Sequence, residues 1–235
     1  MSGILAIETS SDACSIATLH GETLCERHVV EPRKHNQLLF SLLADVIDPQ
    51  ALTTENFSVI AYGAGPGSFT GLRIAASAVQ GLSYASGIPT LGVSTLAAVA
   101  QRALREGLVL TTDRVYAVTD AKIGEVYAAV YRFEAGIAVL EAGPWASKPE
   151  NLHVPEGEAV HIAGDGAQYE AAFPTSLRQI ARSVMPAVMP TARDVAFLAQ
   201  QSIGRQTLEA PHRVQPVYVR DEISWKKLSE QGKQA

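Results

Sequence analysis

Three shortages bound what this chain can be: it has little cysteine, little charge and no long apolar run. The two cysteines, Cys14 and Cys25, stand without a Cys-x-x-Cys pair or a spaced histidine. That excludes a zinc knuckle and a disulfide framework and leaves two reduced thiols. Charged residues make up 18% of the chain and the formal net charge is -5, so the positive field needed to grip nucleic acid unaided is missing. No segment is long and apolar enough to span a membrane. Met1-Ser2-Gly3 runs into Ile4–Ile7 without a basic leader, which predicts a cytoplasmic protein. What is present is a core's worth of apolar residues, 47% of 235.

The pattern is that of an α/β protein. Ile4 to Glu8, Ala13 to Leu19 and Glu22 to Val30 read as three strands joined by the polar turns Thr9-Ser10-Ser11-Asp12 and His20-Gly21. A helix follows from Lys34 to Asp48-Pro49, with Leu38, Leu39, Leu42, Leu43, Val46 and Ile47 covering half its circumference, wide enough for two packing partners. Val59 to Tyr62 is a buried strand, Gly63 to Ser68 a glycine loop, and Thr70 to Ser86 a second helix whose one charge is Arg73. Small residues such as Ser77, Ala78 and Gly81 keep that helix slim. Either the rest of the chain covers it, or it docks on a similar helix pair elsewhere; docking is the preferred reading.

A strand at Thr90–Gly92 and a helix from Ser94 to Arg105 complete the first half. The second half starts again with strands at 115–119, 125–133 and 137–142, and Asp120 ends the first of them as Glu8 does in the first half. The expectation is a duplicated β-β-β-α-β-α unit, with lobes at 1–106 and 107–235. A short strand at 161–163, a helix from Thr191 to Ile203 and a polar tail from Asp221 follow. Trp225 and Leu228 are placed to tether that tail to the first lobe, with fraying from Gln231 onward.

The glycine loop suggests phosphate binding at a helix N-terminus, yet it contains neither a P-loop nor a Gly-x-Gly-x-x-Gly spacing. Glu8 and Asp120 either face each other across a cleft, where they would carry magnesium on a nucleotide, or cap turns; capping is preferred. His35 reads as structural or interfacial. The histidines at 20, 28, 153, 161 and 212 show no metal spacing, and Ser68 and Ser94 no relay. Arg102, Arg105 and Arg114 leave a local patch for direct nucleic-acid contact open.

The runs ILAIETS from Ile4, AGPGSFTGLRIA from Ala64, GVSTL from Gly92, TDAK from Thr119 and PVYVR from Pro216 resemble the bacterial TsaB (YeaZ) family along nearly the whole chain. The resemblance implies two ribonuclease-H-like lobes of the actin-like ATPase kind, and membership of the machinery that places threonylcarbamoyl on a tRNA adenosine. It implies that the transferase is the paralogue TsaD, whose His-x-x-x-His metal motif is replaced here by Thr95-Leu96-Ala97-Ala98-Val99. No catalytic residue and no metal ligand is therefore expected. The expected partners are TsaD and the ATPase TsaE, with tRNA met through the complex and a homodimer formed by the chain alone. The docking residues would be His35, Leu38, Leu39, Leu42, Leu43, Arg73, Ile74, Ser77, Ala78 and Gly81. Glu8, Thr9, Ser10, Gly65, Gly67, Ser68, Asp120 and Lys122 would mark a vestigial nucleotide site, leaving open ATP or ADP with Mg²⁺ at the lobe cleft or a partner interface. The rival is an independent actin-like ATPase, kinase or metalloprotease-like enzyme.

Overall fold

Two five-stranded mixed sheets form the frame of a computed structural model that describes residues 2–157 and 159–219. In the first, β1 (Gly3–Glu8), β2 (Ala13–His20) and β3 (Thr23–Val30) make an antiparallel meander. Next, β4 (Phe57–Gly65) and β5 (Thr90–Ser94) add in parallel, giving the order β3-β2-β1-β4-β5. The second sheet has the same plan. β6 (Val115–Asp120), β7 (Val126–Glu134) and β8 (Ile137–Ser147) form its meander, and β9 (Val160–Ala163) and β10 (Ala181–Met185) its parallel side, in the order β10-β9-β6-β7-β8. The expected duplication is therefore present in the sheets.

The helices repeat less faithfully. After its meander the first half places α1 (His35–Val46), then α2 (Phe69–Ser86) before β5 and α3 (Thr95–Arg105) after it. At the place of α1 the second half has a single 3-10 turn, Pro149–Asn151. At the place of α2 it has a 3-10 stretch, Asp165–Ala172, and the six-residue α4 (Thr175–Ile180). Only α5 (Ala192–Ser202), after β10, matches its counterpart in length. Local chemistry sets these ends: the Ser68, Ser94 and Thr191 side chains accept from backbone N–H groups of the first turns of α2, α3 and α5, and Gly87 closes α2 in a left-handed conformation.

Alternation along each strand sends apolar side chains to both faces, so each sheet is covered twice. Leu5, Ile7, Ile16 and Ile60 face α1 and α2, while Tyr116, Val118, Val126 and Ile162 face the 3-10 stretch and α4. The third core lies between the sheets, where α3 and α5 are sandwiched. It holds Ala6, Val59 and Val93 from the first sheet, Val115, Ala117 and Ala163 from the second, and Leu96, Val99 and Val195 from the helices. Each fully buried Leu or Val in this layer contributes about 1.5–3 kcal/mol. The two helices exchange sides across the proposed 106/107 boundary: α5 packs chiefly on the first sheet, and α3 reaches the second. A two-toothed ion pair ties them, Arg105 Nε and Nη2 meeting Asp194 Oδ1 and Oδ2 at 2.8 and 3.0 Å, with Asp194 fully buried.

The segment before the tail returns to the first half. Thr90 and Glu209 exchange backbone hydrogen bonds of 2.9 and 2.8 Å, and Val217 N–H donates to the Ala64 carbonyl at 2.7 Å. Gln80 also donates to the Val214 carbonyl. The tail positions Asp221, Trp225, Leu228 and Gln231 lie outside the described residues.

Candidate functional site

The glycine loop is filled by the protein's own first turn. β4 runs on through Gly63, Ala64 and Gly65, so the loop is shorter than its composition suggests, only Pro66 to Ser68. Ser68 N–H donates to the Ser10 carbonyl at 2.7 Å, and the Thr9 hydroxyl donates to the Gly71 carbonyl at 2.8 Å. A Cβ on Gly71 would lie 1.9 Å from the Thr9 carbonyl oxygen, and one on Gly67 would lie 2.7 Å from Ser10. These glycines serve close approach of two backbone segments. The Thr95 hydroxyl donates to the Pro66 carbonyl, tying α3 to the same loop. The second half repeats the device: a Cβ on Gly164 would lie 2.0 Å from the Val118 carbonyl oxygen.

The two matching carboxylates both cap turns. Glu8 Oε1 accepts from Ser10 N–H at 2.5 Å and Asp120 Oδ1 from Lys122 N–H at 2.7 Å, each from the residue two further on. Their other oxygens differ. Asp120 Oδ2 faces Lys122 Nζ at 3.3 Å, Tyr169 hydroxyl at 3.3 Å and Gln168 Nε2 at 3.4 Å, and its own N–H donates to Asp165 Oδ1 at 2.9 Å. Glu8 Oε2 is buried without a hydrogen-bond partner among the described residues, and burial pushes this carboxyl up to about 7. Burial likewise raises Asp165 above the usual carboxylate range. Lys122 also approaches Asp12 at 3.9 Å, a half-exposed contact between the halves. Asp12, Asp165, Gln168 and Tyr169 escaped the sequence reading because the fold brings the first to Lys122 and the others to Asp120 from distant segments. Among the described residues no group of three or more His, Cys, Asp or Glu side chains is arranged to hold a metal.

On the outer face of the first sheet, α1 and α2 leave an apolar groove of about 520 Å³ between them. Asn36, Leu39 and Phe40 line it from α1, and Phe69, Thr70, Arg73, Ile74, Ser77 and Ala78 from α2. Phe40 is 59% exposed and Phe69 47%, and the Arg73 guanidinium lies over the Phe69 ring at 3.9 Å. Gly81 and Tyr84, the latter 84% exposed, continue the face along α2.

Several expected docking residues turn inward instead. His35 is buried with its Nε2 2.9 Å from the Ser11 carbonyl and 3.2 Å from that of Ala13, a structural tie rather than a contact surface. Leu42 and Leu43 belong to the core under α1 and Leu38 is half-buried against it, while Leu39 forms the groove floor. An amphipathic stripe marks the face that meets the helix's own sheet; an exposed groove is signalled by apolar residues outside that stripe. Phe40 and Phe69 carry that signal and were not among the expected residues. Ala78 is 9% exposed and packed on the core, whereas Arg73, Ser77 and Gly81 are outward.

The arginine patch is neutralised: Arg102 pairs with Glu106, Arg105 with Asp194 and Arg114 with Glu141. Ser68 and Ser94 cap helices, and Ser94 shares a 3.1 Å hydrogen bond with the Tyr131 hydroxyl.

Comparison with known proteins gives one answer from three directions. Residues 29–223 match the family model described as TsaD, tRNA N6-adenosine threonylcarbamoyltransferase. A tRNA threonylcarbamoyladenosine biosynthesis protein TsaB from Escherichia coli is 35% identical over 232 residues, covering 96% of this chain and 97% of the relative. The TsaB of Haemophilus influenzae is 28% identical over 96% of both chains. Among solved structures, YeaZ from Pseudomonas aeruginosa superposes with a TM-score of 0.84 at 36% identity, over 93% of this chain and 100% of that one.

Proposed function

The chain belongs to the TsaB (YeaZ) family, and from that premise we propose that it is a non-catalytic subunit of the assembly that makes threonylcarbamoyladenosine in tRNA. Its task is to dock the paralogous transferase TsaD through the α1–α2 face. The observation that carries this reading is the groove itself: an apolar surface with two half-exposed phenylalanines, on a helix pair with almost no charge. With TsaD absent, the same self-complementary surface pairs two copies of the chain. The ATPase TsaE joins the complex, and tRNA is met there rather than by this acidic chain alone.

Two features support the non-catalytic half of the reading. At the positions of the transferase's paired histidines stand Thr95, whose hydroxyl is spent on Pro66, and Val99, fully buried between the sheets. Neither side chain can replace an imidazole as metal ligand. The loop that would cradle phosphate is packed against Thr9 and Ser10, and Ser68 N–H is already paired. A nucleotide bound at the partner interface is compatible with this arrangement.

The test uses an outward residue. Ser77→Arg puts a bulky charge at the groove while leaving the core alone, so it abolishes copurification with TsaD and leaves stability within about 0.5 kcal/mol. Retained copurification overturns the proposal. The cytoplasm is the compartment proposed for this work.

A further inference from the structure

The turn between β1 and β2 anchors both helices that wall the groove. On the α2 side, Ser10 accepts from Ser68, the cap residue, and Thr9 donates to Gly71. On the α1 side, the His35 ring meets the Ser11 and Ala13 carbonyls. The groove walls begin directly after these anchors, with Asn36 on α1 and Phe69 on α2. Behind the turn sits Glu8, fully buried, one oxygen holding Ser10 N–H and the other without a hydrogen-bond partner among the described residues. β4 presses on that second oxygen so closely that a Cβ on Gly63 would lie 1.8 Å from it.

We propose that Glu8 is a positioning residue that works as a neutral carboxylic acid: protonated, it holds the turn and both groove helices in place, and its ionisation loosens them, so that partner docking is linked to proton uptake. The inference rests on the docking reading above and adds its regulation. An ionised carboxylate here would be desolvated with one oxygen unpaired, a cost relieved by protonation or by opening of the turn.

Burial raises the group to about 7 from 4.5, opposed only by the hydrogen bonds of Ser10 and Thr9. Among the described residues, the groups around it supply no compensating charge. Cys14 on β2 is pushed up to about 11 by burial and by Glu8 itself, while Gly63 on β4 and Thr95 on α3 are uncharged. The buried charge of α5, Asp194, is paired with Arg105, and at the turn Asp12 meets Lys122. His35 from α1 meets the turn at backbone carbonyls. The sign follows: a carboxyl raised in the closed turn favours closure fully below about pH 4.5, and that preference is lost as pH rises through about 7.

Three measurements on the full chain test this. Carbon-13 NMR of the Glu8 side chain is expected to show titration near 7. Hydrogen exchange at the Ser10 and Ser68 amides, corrected for intrinsic rates, is expected to show opening increase about tenfold from about pH 6 to about pH 8.5, with no change in Glu8→Gln. TsaD affinity is expected to fall over the same range by up to about tenfold in the wild type but not in Glu8→Gln, which keeps the tight value. Titration near 4.5, equal pH dependence in the wild type and Glu8→Gln, or a wild-type affinity indifferent to pH overturns the inference. Failure of TsaD to bind at either pH, with the amide response intact, removes the docking reading and with it the regulatory claim, leaving Glu8 a turn element alone.

Discussion

The two halves share a sheet and differ in what covers its outer face. Over the first sheet lie α1 and α2, twelve and eighteen residues long, with Phe40, Phe69 and Tyr84 exposed. Over the second lie a 3-10 stretch and the six-residue α4, whose Leu177 is buried beneath. Strand pairing is satisfied within a sheet and tolerates little change, whereas an outer helix needs only one apolar stripe and can lengthen or acquire a second face. The repeat therefore maintains the fold, and the departure from it marks the face that carries the apolar groove and is proposed for docking. The same contrast recurs at the turns, where, among the described residues, Asp120 has partners for both oxygens and Glu8 for one.

The sharpest way to test the equivalence of the halves is to break each glycine contact in turn. Gly71→Ala and Gly164→Ala each drive a Cβ into a backbone carbonyl, and each is expected to cost about 3 kcal/mol or more in urea unfolding. Intact stability in one of the two would show that the two close approaches are not equivalent.

The carboxylates should separate next, with opposite signs. Glu8→Gln removes a buried charge lacking a full set of partners and is expected to stabilise by about 2 kcal/mol at pH 8. Because the folded carboxyl is raised from 4.5 to about 7, this advantage grows between those pH values and is absent below them. Asp120→Asn weakens the contact with Lys122 and the hydrogen bonds around it, and is expected to destabilise by about 1–2 kcal/mol. Chemical denaturation at pH 5 and pH 8 distinguishes the two.

Much of this frame was legible in the sequence because it depends on local signals. The strand-turn-strand openings at Ile4 and Val115, the glycine after α2 and the Thr191 cap all follow from residue chemistry within a few positions. β10 and α4 did not show: Ala181-Arg182-Ser183-Val184-Met185 is a half-buried edge strand without alternation, and six residues are too few for helical periodicity. Nor could periodicity reveal that α3 and α5 reach across to each other's sheets, since it tells which face of a helix is apolar and not what covers it. The groove lining was hidden for the same reason: Leu42 and Leu43 announce the core, and the groove is lined by Phe40 and Phe69 beside them.

The smallest effect concerns the face itself. A Cβ on Gly81 would meet nothing within 4 Å, so Gly81→Ala is expected to stabilise the isolated chain by about 0.5–1 kcal/mol, read as a raised thermal midpoint. A loss of stability there would mean that α2 is covered even without a partner.

The most direct measurement is light scattering on size-exclusion chromatography of the chain mixed with TsaD, wild type beside Ser77→Arg. A heavier joint species with the wild type, absent with the variant, is the expected result. A joint species of equal abundance with both proteins would contradict the assignment of the α1–α2 face as the docking surface.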